Sequence, residues 1–92
     1  MLFRSDHGVL LQLGVAAAKA RLLEVAADAL QRAVRVRPDS VPAWINKARV
    51  HRAKGEIEAA KDSYGRALSL DPRNESARDE LAGMSVAIGP RR

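Results

Sequence analysis

Apolar residues return every three or four positions along this chain, and short polar or Pro/Gly breaks cut that rhythm into five segments. The first, about Gly8 to Ala20, carries Leu10, Leu13, Ala17 and Ala20 as a helical stripe, with Gly14 permitting close approach by a neighbour. The second, about Leu23 to Arg37, sets Leu23, Ala26, Leu30, Ala33, Val34 and Arg37 along one side, and Pro38 stops it because its ring cannot continue the ladder. The third starts after Ser40 with Pro42 tolerated in its first turn; Trp44, Ala48 and His51 form its buried side, and Gly55 supplies a left-handed end. The fourth, about Ile57 to Leu70, carries Ile57, Ala60, Tyr64, Ala67 and Leu68, and Asp71-Pro72 ends it. The fifth, Glu75 to Ile88, sets Leu81, Ala82, Ser85 and Ile88 inward before Gly89-Pro90. No segment keeps strand alternation.

A 34-residue period underlies the pattern. Shifted by that amount, Glu24 meets Glu58, Ala26 meets Ala60, Asp28 meets Asp62, Arg32 meets Arg66, Ala33 meets Ala67 and Pro38 meets Pro72. Asp6, Ser40 and Asn74 keep the same spacing, and each can cap a helix by accepting an unpaired first-turn N–H. Every loop is short, so consecutive helices must fold back as antiparallel hairpins. The expectation is an all-α domain over 1–92, divided into a worn unit 7–40, a well-formed unit 41–74 and a half unit or capping helix 75–89.

Composition changes this picture little. Ninety-two residues without cysteine must be held by hydrophobic packing alone, and 47% hydrophobic with 29% charged residues suits a folded domain. The net charge of +5 raises a polyanion reading, but the acidic residues are interspersed with the basic ones and aromatics are scarce, which disfavours nucleic acid. Residues 1–20 imitate a secretory leader, with Arg4, an apolar run and Ala18-Lys19-Ala20 as a cleavage-like site. Asp6, His7 and Gln12 disfavour it, and no segment is long enough to span a membrane. The Ala- and Arg-rich composition suggests a bacterial, cytoplasmic protein.

Val41 to Asn74 resembles a tetratricopeptide repeat (TPR), with large Trp44, small Ala48, Gly55 at the turn, then Ala60, Tyr64, Ala67-Leu68 and Pro72. His7 to Ser40 resembles a degraded copy and Glu75 to Gly89 the first helix of another, about two and a half repeats together. The resemblance implies hairpins stacked as a right-handed α-α superhelix, with the first helix of each pair lining a concave groove that binds a protein or peptide. Three departures stand out. Arg21 occupies the turn-glycine slot, Lys47 an apolar packing slot, and Arg78 the large aromatic slot of the last helix.

No catalytic, cofactor or metal constellation is present: His7 and His51 lie in separate units, and the glycines are isolated. Glu56 and Glu58 straddle a helix start, where the dipole accounts for them. The expected groove residues are Leu11, Gln12, Val15 and Lys19 on the first helix and Ile45, Asn46, Arg49 and Arg52 on the third, with Ser76, Asp79, Glu80 and Gly83 added by the fifth. The resemblance brings with it a clamp of Lys, Asn and Arg for a terminal carboxylate. Asn46 matches the clamp asparagine, but Leu11, Val15, Ser76 and Glu80 replace the other four members, and Glu80 would repel the anion. An interaction module without enzymatic activity is therefore expected, its apolar patch beside the strip of Asn46, Arg49 and Arg52 suiting a peptide of hydrophobic and acidic character rather than a clamped chain end. Two alternatives stand beside it: a docking segment of a larger enzyme, and a polyanion surface built from Arg32, Arg35, Arg37, Arg49 and Arg52. Leu2, Phe3, Met84, Val86 and Ile88 load both ends with apolar side chains, so self-association is a further expectation.

Overall fold

The five segments become five α-helices in the computed structural model, which describes residues 6–88, with side chains over 6–84. They are α1 (His7–Lys19), α2 (Leu23–Val36), α3 (Val41–Ala53), α4 (Ile57–Leu70) and α5 (Glu75–Ile88). α1 packs against α2 and α3 against α4 as hairpins; α2 then stacks on α3 and α4 on α5. No strand occurs among the described residues, and no helix is long and apolar enough to cross a membrane.

The caps keep the 34-residue register. Asp6 accepts from the Gly8 N–H at 2.7 Å, Ser40 from Ala43 at 3.3 Å and Asn74 from Ala77 at 2.9 Å. Ser40 also lies 2.8 Å from His7 Nε2, joining the start of α1 to the start of α3. The hairpin turns repeat as well. Arg21 and Leu22 donate to the Ala18 and Ala17 carbonyls, as Gly55 and Glu56 donate to those of Arg52 and His51. This pairing is the Schellman arrangement, which satisfies helix-end carbonyls and requires one residue at positive φ. Gly55 adopts +82° and Arg21 +65°. The arginine holds a left-handed backbone at a cost of about 1 kcal/mol.

Small residues bring the helices close. Ala26, Ala33, Ala43, Ala48, Ala60, Ala67 and Ala77 are all fully buried. A side chain on Gly14 would meet Leu30 Cγ at 2.6 Å, so the missing Cβ creates the seat for Leu30. One period later the same pair is Ala48 and Tyr64, and Tyr64 is likewise fully buried. Trp44 packs at the junction of the two hairpins, half-buried, with its indole N–H donating to the Pro38 carbonyl at 2.8 Å.

Several expected faces are turned by a fraction of a helical turn. α1 buries Leu10, Gly14 and Ala17, while Leu13 is 47% exposed and Ala20 lies outside the contact. α2 buries Ala29 beside the expected Ala26, Leu30, Ala33 and Val34, while Leu23 is only partly covered and Arg37 is an exposed C-terminal cap. α3 buries Ala43, Ile45, Ala48 and Val50, leaving Trp44 and His51 only partly covered. α5 turns Ala77 and Met84 inward with Leu81 beside them, and Ala82 outward. The common reason is that the position of the neighbouring helices decides which face is covered; on α1 and α5 this is an i, i+4, i+7 stripe, Leu10–Gly14–Ala17 and Ala77–Leu81–Met84. Met84 therefore leaves the set of apolar end residues; Leu2 and Phe3 and the side chains of Ser85, Val86 and Ile88 lie outside the described residues.

α5 is docked through one polar network. Tyr64 Oη donates to Glu80 Oε1 at 2.6 Å, and Arg49 grips both Glu80 oxygens at 2.9 and 2.6 Å. Burial, and next the bond to Glu80, push the Tyr64 phenol far above its usual pKa. The bond from Arg49 holds the Glu80 carboxyl below its ordinary 4.5, with Tyr64 adding to the effect and partial burial opposing it. The folded state therefore binds fewer protons here than the unfolded one. The pair's stabilisation is complete above pH 4.5 and drains away as pH falls below that value.

Glu80→Gln is expected to lower the melting temperature at pH 7, and its gap to the parent chain should narrow in thermal melts taken at pH 3. A gap that stays constant would remove the ion pair as its cause. For packing, Gly14→Val should cost about 1–3 kcal/mol in urea denaturation, because the branched side chain must displace Leu30. Gly65→Ala, with nothing within 4 Å of its would-be Cβ, should gain about 0.5–1 kcal/mol.

Candidate functional site

α1, α3 and α5 together line one face of the stack, and three adjoining clefts run across it. The first, about 410 Å³, is bounded by Leu11, Gln12, Val15, Ala16, Lys19 and Asn46. The second, about 360 Å³, lies between the ends of α1 and α3, with Val15, Ala18, Leu23, Val50 and Ala53 as its apolar part and Lys19, Arg21, Asn46, Arg49 and Arg52 as its polar part. The third, about 310 Å³, joins α3 to α5 through Val41, Pro42, Ile45, Asn46, Arg49, Asp71, Asn74 and Ser76. Asn46 borders all three.

Of the twelve residues expected on the groove, the eight on α1 and α3 and Ser76 on α5 line at least one of these clefts, whereas Asp79, Glu80 and Gly83 line none of the three. Their surroundings differ from expectation in two respects. Ile45 is only 6% exposed, because α5 lies across it and seats it among Ala48, Tyr64, Ala77 and Met84. It is floor rather than a free contact. Arg49 is already engaged by Glu80, and Arg52 reaches the same carboxylate at 3.9 Å. The strip of Asn46, Arg49 and Arg52 is thus partly neutralised from within. Asn46 remains accessible; its amide donates to the Pro42 carbonyl at 2.9 Å, which leaves its own carbonyl oxygen free of any recorded partner among the described residues.

Glu80 was visible in the sequence as a charge in the groove, but not as the partner of Tyr64, because its position 16 residues from Tyr64 gives no helical-face relation. Arg21 was missed altogether as a groove residue. The signal was available, since the sequence puts a cation in the turn slot that Gly55 holds one period later.

The remaining candidates serve the scaffold. Lys47 Nζ donates to His51 Nε2 at 3.2 Å, and His51 Nδ1 donates to Glu56 Oε1 at 2.7 Å. Lys54 bridges Glu24 and Glu56 at 3.1 and 3.5 Å, tying the two hairpin turns together. Lys47 and Arg66 also sit over the Trp44 ring, 5.6 and 5.3 Å from its centroid, and burial lowers the Lys47 pKa. The five arginines of the polyanion alternative do not form one surface. Arg32 and Arg37 pair with Asp28 and Asp39 beside α2, whereas Arg49 and Arg52 line the groove.

Comparison with known proteins places these features. The family model described as "Tetratricopeptide repeat" matches residues 41–74. A curated relative, the human protein O-mannosyl-transferase TMTC1, is 34% identical over 61 residues, covering 66% of this chain. The chain spans 7% of the length of that relative. Among solved structures, the first TPR of Spaghetti (RPAP3) bound to the HSP90 peptide SRMEEVD superposes with a TM-score of 0.87 at 25% identity, over 92% of this chain and 68% of the other. Residues 41–74 match the tetratricopeptide-repeat family, and the described helices have the fold of a TPR domain.

Proposed function

We propose that this domain is a non-catalytic interaction module whose groove, formed by α1, α3 and α5, holds an extended peptide or partner segment. One observation carries the reading: Asn46 stands at the meeting point of three clefts that together run across the stack. The similarity to a TPR bound to an HSP90 peptide supports a peptide as occupant. A transferase activity is not carried over from TMTC1, whose matched part is a small fraction of its length. A terminal-carboxylate grip of the clamp type is not part of the proposal, because Glu80 holds the guanidinium nearest to it.

The groove has an apolar half around Leu11, Val15 and Ala16 and a polar half around Asn46 and the arginines. An extended peptide leaves its backbone amides unpaired, and the Asn46 side chain can meet one of them while an apolar residue of the ligand enters beside Leu11 and Val15.

Asn46→Ala tests this cleanly, since among the described residues its side chain makes a single hydrogen bond, an exposed one within α3. Against peptides selected from a random display library on the parent domain, the variant should bind about three- to tenfold more weakly, as expected for one hydrogen bond. Its melting temperature should stay within about 2 °C of the parent, as for other exposed positions. Equal affinity of variant and parent would remove the groove assignment.

A further inference from the structure

We propose that the cleft between the C-terminal ends of α1 and α3 is an anion pocket that takes a side-chain carboxylate from an acidic, internal stretch of the bound peptide. The proposal rests on the groove reading above and specifies the chemistry of its ligand.

Four cations border this cleft, namely Lys19, Arg21, Arg49 and Arg52, and no carboxylate lines it. Arg49 is committed to Glu80, and Arg52 only touches that carboxylate at 3.9 Å. None of the ion pairs among the described residues involves Lys19 or Arg21. The pocket therefore holds two uncompensated cations and a third that is weakly held, on a floor made by Val15, Ala18, Leu23 and Val50. Charge of one sign over an apolar floor is complementary to a carboxylate flanked by an apolar residue.

The plain alternative is that these cations merely complement helix dipoles. It accounts for Lys19 and Arg52, which stand in the last turns of α1 and α3. It does not account for Arg21. That residue lies in the turn beyond α1, where the equivalent position one period later is Gly55 with the same hydrogen bonds and open space around it. Glycine would satisfy this turn without strain, so the backbone gains nothing from arginine. What the arginine adds is a guanidinium at the cleft. Strain kept at a position that lines a pocket points to use of the side chain.

Glu80 fixes where the anion goes. Its carboxylate fills the space beside Arg49 on the α5 side, so an incoming carboxylate is repelled there and directed to the α1 side, toward Lys19, Arg21 and Arg52. The pocket is open at the surface rather than closed around a chain end. An internal Asp or Glu side chain can reach it without the peptide terminating there.

The test uses the whole domain and heptapeptides, amidated at the C-terminus, selected on it from a random library. Affinities are titrated for the parent, Arg21→Gly, Arg52→Gln and Asn46→Ala at 50 and 300 mM NaCl. Selected peptides should carry Asp or Glu next to an apolar residue, and binding should weaken with salt. Arg21→Gly should lower affinity about three- to fivefold, the range for an accessible ion pair, while raising the melting temperature. A purely structural arginine would not give that opposed pair of effects. Replacing the peptide's acidic residue by its amide should abolish the difference between parent and Arg21→Gly. Selected peptides without acidic residues overturn the pocket, as does undiminished binding to Arg21→Gly by peptides that remain sensitive to Asn46→Ala; in both cases the groove stands. Failure to select any peptide overturns the groove and the pocket together.

Discussion

Each of the two hairpins in this domain closes on a large side chain seated against a missing or minimal one. Leu30 lies on Gly14, and one period later Tyr64 occupies the corresponding place against Ala48. Alanines at the remaining crossings keep backbones close, and this close packing substitutes for the bulky core that ninety-two residues cannot build. The groove follows from it. Once α1, α3 and α5 are spaced by these contacts, their outer faces stand side by side, and the clefts between them are the gaps that small residues leave. The scaffold and the candidate site are thus two sides of the same helices.

The repeat made most of this architecture legible in advance. Three caps in register, two proline stops and the turn slots at 21 and 55 define the helices almost to the residue. What one-dimensional reading missed was rotation. Leu13 fits a regular stripe with Leu10 and Ala17, but α1 has a neighbour on only part of its circumference, and Leu13 looks outward. Met84 was read as surplus apolar surface and is instead covered, since α5 rolls toward α4 to bring Ala77 and Met84 onto Tyr64. Periodicity gives the angular spacing of side chains along a helix. The phase of that pattern is decided by where the partners lie.

Electrostatics was less legible than packing, because opposite charges far apart in sequence can cancel at one point in space. Arg49 and Glu80 were both expected on the groove, the first as a ligand contact and the second as an obstacle. Together they are a bidentate pair, with Tyr64 as a third member drawn from the core. A charge tally of the groove from sequence counts Arg49 as free. The structure removes it and leaves Lys19, Arg21 and Arg52, which moves the positive centre of the groove from its α5 side to its α1 side.

That shift also decides which groove positions can vary independently of the fold. Among the described residues the Asn46 side chain bonds within its own helix alone, so selection can alter it at little structural cost. Arg21 is the reverse of a stabilising residue, holding a backbone geometry that Gly55 adopts freely in the equivalent turn. Glu80 is bound to both tasks: its carboxylate shapes the field of the groove, and its Oε1, which also accepts from Arg49 Nε, receives the Tyr64 hydroxyl that anchors α5. Replacing Glu80 with the basic residue of the clamp would set two cations side by side and strip a buried phenol of its acceptor, so the domain cannot regain a clamp of that kind by one substitution. Stability of the last helix therefore fixes the polarity of the groove, and the ligand must conform to it.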